Sequence, residues 1–298
     1  MNPSSTSVRK LSGPVLLITD LSARCDRAMD RAVDIARAHG AELIALYVMD
    51  TPWLTKLAQP AWREMQAEHR QTAEKRLMAD LSHSDVKVHT MVEIGDPIEV
   101  IEQVAKDHQC SLIVSGTARD ETLGRIVLGT TVERLARRCE IPLLIVRNRP
   151  FDAYKNLLIA SDFSDGSRAA LRAAFSLFAG SHITLYHAFD QVAGIYDLDQ
   201  PTIDEQIATH HQQAEKFLAK FERPESVKAE TVVIEHGAPD KTLPAYVKSH
   251  DIELVVLGTH GVTGILRTAM GSVAEKLLEN LACDVLVVRQ PHQLDAAA

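Results

Sequence analysis

Short apolar runs rich in β-branched residues alternate along this chain with longer stretches whose apolar positions recur at helical spacing. In the second half the runs read NLLIAS (156–161), HITLYHA (182–188), AETVVIE (229–235), IELVVLG (252–258) and CDVLVVR (283–289). The first half gives PVLLITD, AELIALYVM, VKVHTMVE, CSLIVSG and IPLLIVR in the same order. Between the first two of these lies RCDRAMDRAVDIARAHG, whose Ala28, Ala32, Val33, Ile35 and Ala36 fall on one helical face. Gly40 follows where a helix C-terminus favours glycine. Five strands with four crossovers in each half predict an α/β fold: two doubly wound, Rossmann-like parallel-sheet domains in tandem, with helices on both sheet faces.

The two halves are one pattern written twice. VLLITDLS opens at Val15, and LLIASDFS reopens at Leu157. An offset of 142 relates Asp20 to Asp162, Gly95 to Gly237, Gly116 to Gly258, Gly129 to Gly271 and Arg147 to Arg289. GAELIALYVMD and GSHITLYHAFD match instead at an offset of 140, which implies a trimmed first helix in the second copy. A period of this size means two domains, set here at 1–147 and 148–298, joined by the short polar segment 148–156.

Composition narrows the function classes. A formal net charge of -8 over 298 residues supplies no global attraction to nucleic acid or acidic membranes, so neither is an expected partner. The opening apolar run, Val15 to Ile18, is too short for a signal-peptide core, and no window approaches a membrane-spanning length. A cytoplasmic location is the expectation. The four cysteines lie far apart with no Cys-x-x-Cys pair, which points to buried structural thiols. His210, His211 and His236 invite a metal site, but adjacent histidines on a helix diverge, so solvated surface histidines and no metal are expected.

In an open parallel sheet, ligands bind beyond the carboxyl ends of the strands, where strand order reverses. Three segments of the second half converge there: Ala160 to Ser164, with Ser161 and Asp162 just past the first strand; Ala188 and Phe189, closing the second; and Leu257 to Val273, after the fourth. The last reads Gly258-Thr259-His260-Gly261 and continues to Gly271-Ser272, which opens a helix. Glycines let backbone N–H groups approach an anion, and a helix N-terminus offers unpaired donors and a positive dipole end. The pattern G-x2-G-x9-G-[ST] arises by chance in about one chain in a hundred of this length. A purely local alternative makes Asp162 or Ser272 a helix N-cap.

These residues resemble the universal stress protein family over nearly the whole chain. LLIASDFSDGS, LVVLGTHGVTGILRTAMGSVAEKLL and CDVLVVR are similar to its opening strand, its phosphate loop with the following helix, and its last strand. The resemblance implies ATP, alone or with Mg, as the cofactor. Asp162 would lie on its ribose or base side and Ala188 near adenine, with Gly258, Gly261, Gly271 and Ser272 around the phosphates. It also implies pairing of the last strands into an intramolecular pseudo-dimer, with homodimerisation a further option.

The first half departs from that motif at one place. Asp20, Val48, Gly116, Gly129 and Thr130 match, but Arg119 stands where the second glycine belongs. Its side chain fills space that a phosphate would occupy, which weakens or empties that site; alternatively, its guanidinium pairs with a phosphate. No G-x4-G-K-[ST] motif and no positioned catalytic base are present, so no catalytic residue is assigned. The expected function is an ATP-binding stress-response regulator that uses mainly its second domain. The alternatives are an interaction scaffold with relic sites or another small ligand, and a slow ATPase or autophosphorylating protein.

Overall fold

The computed structural model describes residues 11–50, 60–120, 125–127, 129–190, 200–221, 229–259 and 270–290; the side chains of 60–65, 118–120, 125–127, 200, 229 and 230 lie outside that description. The chain divides into two compact units, Lys10–Phe151 and Asp152–Ala298, each taken by itself below.

In the first unit the order is β1 (Val15–Thr19), a 3-10 turn (Ala23–Cys25), α1 (Asp26–His39), β2 (Leu43–Met49), α2 (Pro60–Leu81), β3 (Val88–Ile94), α3 (Pro97–Asp107) and β4 (Leu112–Gly116). There follow β5 (Ala118–Asp120), β6 (Arg125–Val127), α4 (Thr130–Arg138) and β7 (Leu143–Val146). The second unit runs β8 (Asn156–Ala160), α5 (Asp165–Leu177), β9 (His182–Phe189), α6 (Gln200–Leu218), β10 (Ala229–His236), α7 (Pro239–Ser249), β11 (Leu254–Gly258), α8 (Ser272–Asn280) and β12 (Asp284–Val288).

Each unit builds one parallel sheet, β3-β2-β1-β4-β7 in the first and β10-β9-β8-β11-β12 in the second. Strand order therefore reverses at β1 and at β8, the positions where the ends of neighbouring strands leave a crevice. The central strands are buried along most of their length: Leu157, Leu158, Ile159, Val255 and Val256 have no exposed surface. Each such side chain contributes about 1.5–3 kcal/mol by leaving water. The sheet needs cover on both faces to bury them, and in the second unit α5 and α6 form one layer while α7 and α8, packed on each other, form the other.

The predicted apolar face of α1 is the buried one: Ala28, Ala32, Val33, Ile35 and Ala36 all lie in the core. Gly40 closes that helix with φ +58°, a left-handed conformation that glycine adopts without Cβ strain. In the second copy α5 has 13 residues against 14 in α1, which accounts for one of the two positions by which the offset narrows. The long helix expected after Trp53 is α2, though Trp53 and the side chain of Trp62 fall outside the described residues. Among the described residues no helix is long and apolar enough to cross a membrane.

Candidate functional site

Past the end of β8 the chain makes a tight turn held by its own side chains. The Phe163 N–H donates to Ser161 Oγ at 3.0 Å, and the Ser164 N–H donates to Asp162 Oδ1 at 3.1 Å. Ser167 Oγ donates to the same Asp162 Oδ1 at 2.8 Å and accepts from the Asp162 N–H at 3.0 Å. These bonds keep Phe163 at φ +63°. That conformation costs a residue bearing a Cβ about 1–2 kcal/mol, so the turn must be overdetermined to persist.

The first unit repeats this arrangement residue for residue. Leu21 sits at φ +61°, its N–H on Thr19 Oγ1 at 3.0 Å; the Ser22 N–H donates to Asp20 Oδ1 at 2.9 Å; and Cys25 Sγ donates to Asp20 Oδ1 at 3.2 Å. Partial burial raises the Asp20 pKa, but the hydrogen bonds from Ser22 and Cys25 outweigh it and hold the carboxyl below the usual aspartate value. Asp162 is thus not the helix cap allowed for in the sequence. That place belongs to Ser164, whose Oγ accepts from the Ser167 N–H at 3.3 Å at the start of α5.

Around the Asp162 turn the second unit opens a cleft of about 230 Å³. Its walls include Ala160, Ser161 and Asp162 after β8, Tyr186 and Ala188 on β9, Leu257 and Gly258 on β11, Gly271, Ser272 and Val273 at α8, and Pro239 and Leu243 on α7. The expected segments therefore meet in one place. Two glycines of the motif do different jobs there. A Cβ on Gly258 would lie 2.7 Å from the Gly166 carbonyl carbon and 3.1 Å from the Ser167 nitrogen, so the close approach of β11 to the first turn of α5 already requires glycine. Among the described residues a Cβ on Gly271 would meet only Thr259 O, at 3.9 Å. Nothing in the described protein explains the missing side chain at 271, which borders the cleft.

Gly271 is also the N-cap of α8 and offers no side chain to it. Its own N–H donates to Thr259 O at 3.1 Å, and its carbonyl accepts from the Glu275 N–H. The N–H groups of Ser272, Val273 and Ala274 therefore begin the helix without an intrahelical acceptor. Ser272 is the first helical residue rather than the cap expected as its local alternative.

The universal stress protein family model matches residues 12–147 and again 153–289. The chain belongs to the universal stress protein family. A universal stress protein of Methanocaldococcus jannaschii is 32% identical over 45% of this chain and 81% of its own. The universal stress protein E homolog of Haemophilus influenzae is 22% identical over 92% of this chain and 96% of its own. Among solved structures, a universal stress protein from Archaeoglobus fulgidus superposes with a TM-score of 0.66 at 18% identity, covering 94% of this chain and 100% of that one, which is a likeness of fold.

As a tandem member of this family, the chain carries one such loop in each domain. His260 and Gly261, in the second, lie outside the described residues, as do 262–269. In the first, the segment after Gly116 folds into a two-stranded antiparallel hairpin, with Arg119 paired to Ile126. The main chain at Arg119 is thereby committed to a ladder. Gly116 approaches the 3-10 turn before α1, with a Cβ there 3.2 Å from Arg24 O. Val48 is the last residue but one of β2, and Gly129 is the N-cap of α4, whose first residue is Thr130.

Two expectations are corrected by side-chain packing. Cys110, Cys139 and Cys283 are buried free thiols, but Cys25 is only partly buried and serves the Asp20 turn. His210 and His236, read as solvated, are instead packed on Phe189, at ring-centroid distances of 4.5 Å and 5.3 Å. Period-2 alternation puts His187, Phe189 and His236 on the α6 face of the sheet, which attracts the helix residue His210 to them. Among the described residues no group of three His, Cys, Asp or Glu side chains is placed to hold a metal ion.

Proposed function

We propose that this universal stress protein is a regulatory module that binds an adenine nucleotide, ATP in the first instance, in the cleft of its second domain. The observation that carries the reading is Gly271. Gly258 is glycine for packing, whereas a Cβ on Gly271, which borders the cleft, would meet among the described residues nothing nearer than Thr259 O at 3.9 Å.

The residues present fit such a ligand. The N–H groups at the start of α8 would accept phosphate oxygens with the help of the helix dipole. Asp162, immobilised through Oδ1, would receive ribose hydroxyls or the base edge, and Ala188 with Leu243 and Leu277 supplies an apolar wall for a ring. A crevice lined by both polar and apolar groups suits a ligand with an anionic tail and a flat apolar head. In the first domain the hairpin at Arg119 supports a weakened or empty site.

Thermal denaturation with and without nucleotide tests this. ATP at 100 times its dissociation constant stabilises the fold by about 2.7 kcal/mol. The shift is expected with ATP and lost in Asp162→Ala and Gly271→Val. No shift with ATP, ADP or AMP would reject the reading in favour of a scaffold.

A further inference from the structure

Against the Asp162 turn, on the sheet face away from α7 and α8, lies a stack of aromatic and histidine rings. His187 on β9 contacts Phe163 at 4.6 Å and His210 of α6 at 4.7 Å; His210 continues to Phe189, and Phe189 to His236 of β10. His187 Nδ1 lies 2.8 Å from the main-chain carbonyl of Ser161. A carbonyl only accepts, so Nδ1 carries the proton and a neutral ring has its lone pair on Nε2. Among the described residues that Nε2 is buried without a hydrogen-bond partner, as are His210 Nδ1 and His236 Nε2.

The two ring nitrogens of His187 thus have opposite consequences. Its Nδ1–H fixes the carbonyl one residue before Asp162, in the segment where Phe163 is held in a left-handed conformation. Its Nε2 has nowhere to place a second proton, and a buried N–H without an acceptor costs about 1–3 kcal/mol, more when charged. The first domain has no such device: the residue matching His187 at the 140 offset is Tyr47.

We propose that His187, stacked on His210, is an acid-sensitive latch: neutral, it holds the Ser161–Asp162–Phe163 turn in place; protonated, it releases that turn and with it the nucleotide of the second domain. The groups around the pair favour this direction. Burial pushes the His187 pKa below the ordinary imidazole value, and the neighbouring His210 adds to this; the Ser161 carbonyl and the Asp162 charge oppose it without prevailing. From β10, His236 reaches the stack only through Phe189. On α5, Arg168 lies 6.0 Å over the ring of Phe217, itself against Phe163, and is paired with Asp165 at 2.8 Å. A group whose native pKa is lowered favours the native turn above its ordinary pKa, near 6.5, and withdraws that contribution as pH falls toward the lowered value.

The inference rests on the reading of the cleft as a nucleotide site, so its test has an arm without nucleotide. Nitrogen-15 imidazole spectra of the full chain at neutral pH should show His187 protonated at Nδ1 only. On acidification, the amides of Asp162 to Ser164 should shift together with that ring. Titration of that ring with those amides unmoved would overturn the latch even if ATP binds. In the second arm, ATP affinity is measured at pH 7.5 and pH 5.0 in the wild type, His187→Asn and His210→Phe. Asn retains a donor near the Nδ1 position and cannot titrate. One linked proton changes affinity up to about tenfold per pH unit. The wild type should therefore lose about tenfold more than His187→Asn over this range, and His210→Phe, which removes the neighbour that depresses the His187 pKa, at least as much as the wild type; the nucleotide's own titration is common to all three. Equal losses in all three proteins would contradict the latch.

Discussion

Ser167 grips Asp162 from both sides, its hydroxyl donating to Oδ1 at 2.8 Å and accepting from the Asp162 main-chain N–H at 3.0 Å. One hydroxyl, itself buried, therefore fixes both the carboxylate and the backbone of the turn. Ser167→Ala should destabilise the protein by about 1–3 kcal/mol, because a partly buried N–H loses its acceptor. Urea denaturation checks this, and an unchanged midpoint would show that the turn is held by its other bonds alone.

In the first domain Cys25 takes the place of Ser167 with a longer bond of 3.2 Å from a weaker donor. Cys25→Ser should therefore be neutral or slightly stabilising, while Cys25→Ala should lower stability by about 0.5–1.5 kcal/mol. The two variants are compared in one denaturation series. A serine that destabilises as much as the alanine would mean that sulfur is retained for its size.

Gly258 and Gly271 should separate cleanly. Gly258→Ala puts a methyl 2.7 Å from the Gly166 carbonyl carbon, and overpacking of this kind costs about 1–3 kcal/mol. Among the described residues the Cβ of Gly271→Val meets nothing nearer than Thr259 O at 3.9 Å, and its stability should stay within about 1 kcal/mol of the wild type. Measured nucleotide affinity should behave the opposite way at 271, falling at least about tenfold, worth about 1.4 kcal/mol.

The thiols supply a check on burial. Burial raises the pKa of Cys110 to about 11, and burial together with the Asp20 carboxylate raises that of Cys25. At pH 8 about one Cys110 side chain in a thousand is thiolate, the reactive form. An aromatic disulfide reagent should label the native protein slowly at pH 8 and all four cysteines promptly in guanidinium. Fast native labelling of Cys110 would contradict its burial.

Acid should act on the first domain through Asp20. Its native pKa lies below the ordinary 3.8, so the stability it contributes is present above that value and disappears as pH falls through 3.8 to the lowered native one. Asp20→Asn should flatten that part of the stability curve. A curve of unchanged slope would exclude Asp20 as a contributor.

The architecture was legible in the sequence because both copies obey the same periodicity, and because Asp20 and Asp162 mark the same strand end at a constant offset. The cleft was legible as a convergence of segments, since strand ends must gather where the order reverses. Other features depend on distances that no spacing encodes. Gly258 has the same letter as Gly271, yet one is explained by a carbonyl 2.8 Å away and the other is not. The ring stack was hidden because His187 and His210 come from a strand and a helix 23 positions apart. The sequence signal available was alternation: His187 and Phe189 share a strand face that a neighbouring helix must cover. The Arg119 hairpin escaped notice because its strands are only three residues each, too short for a pattern.

Calorimetric titration of the full chain with ATP tests the central claim most directly. One site per chain is expected, abolished by Gly271→Val while that variant retains its cooperative unfolding. Two equivalent sites, or full binding by a folded Gly271→Val protein, would contradict a nucleotide cleft confined to the second domain.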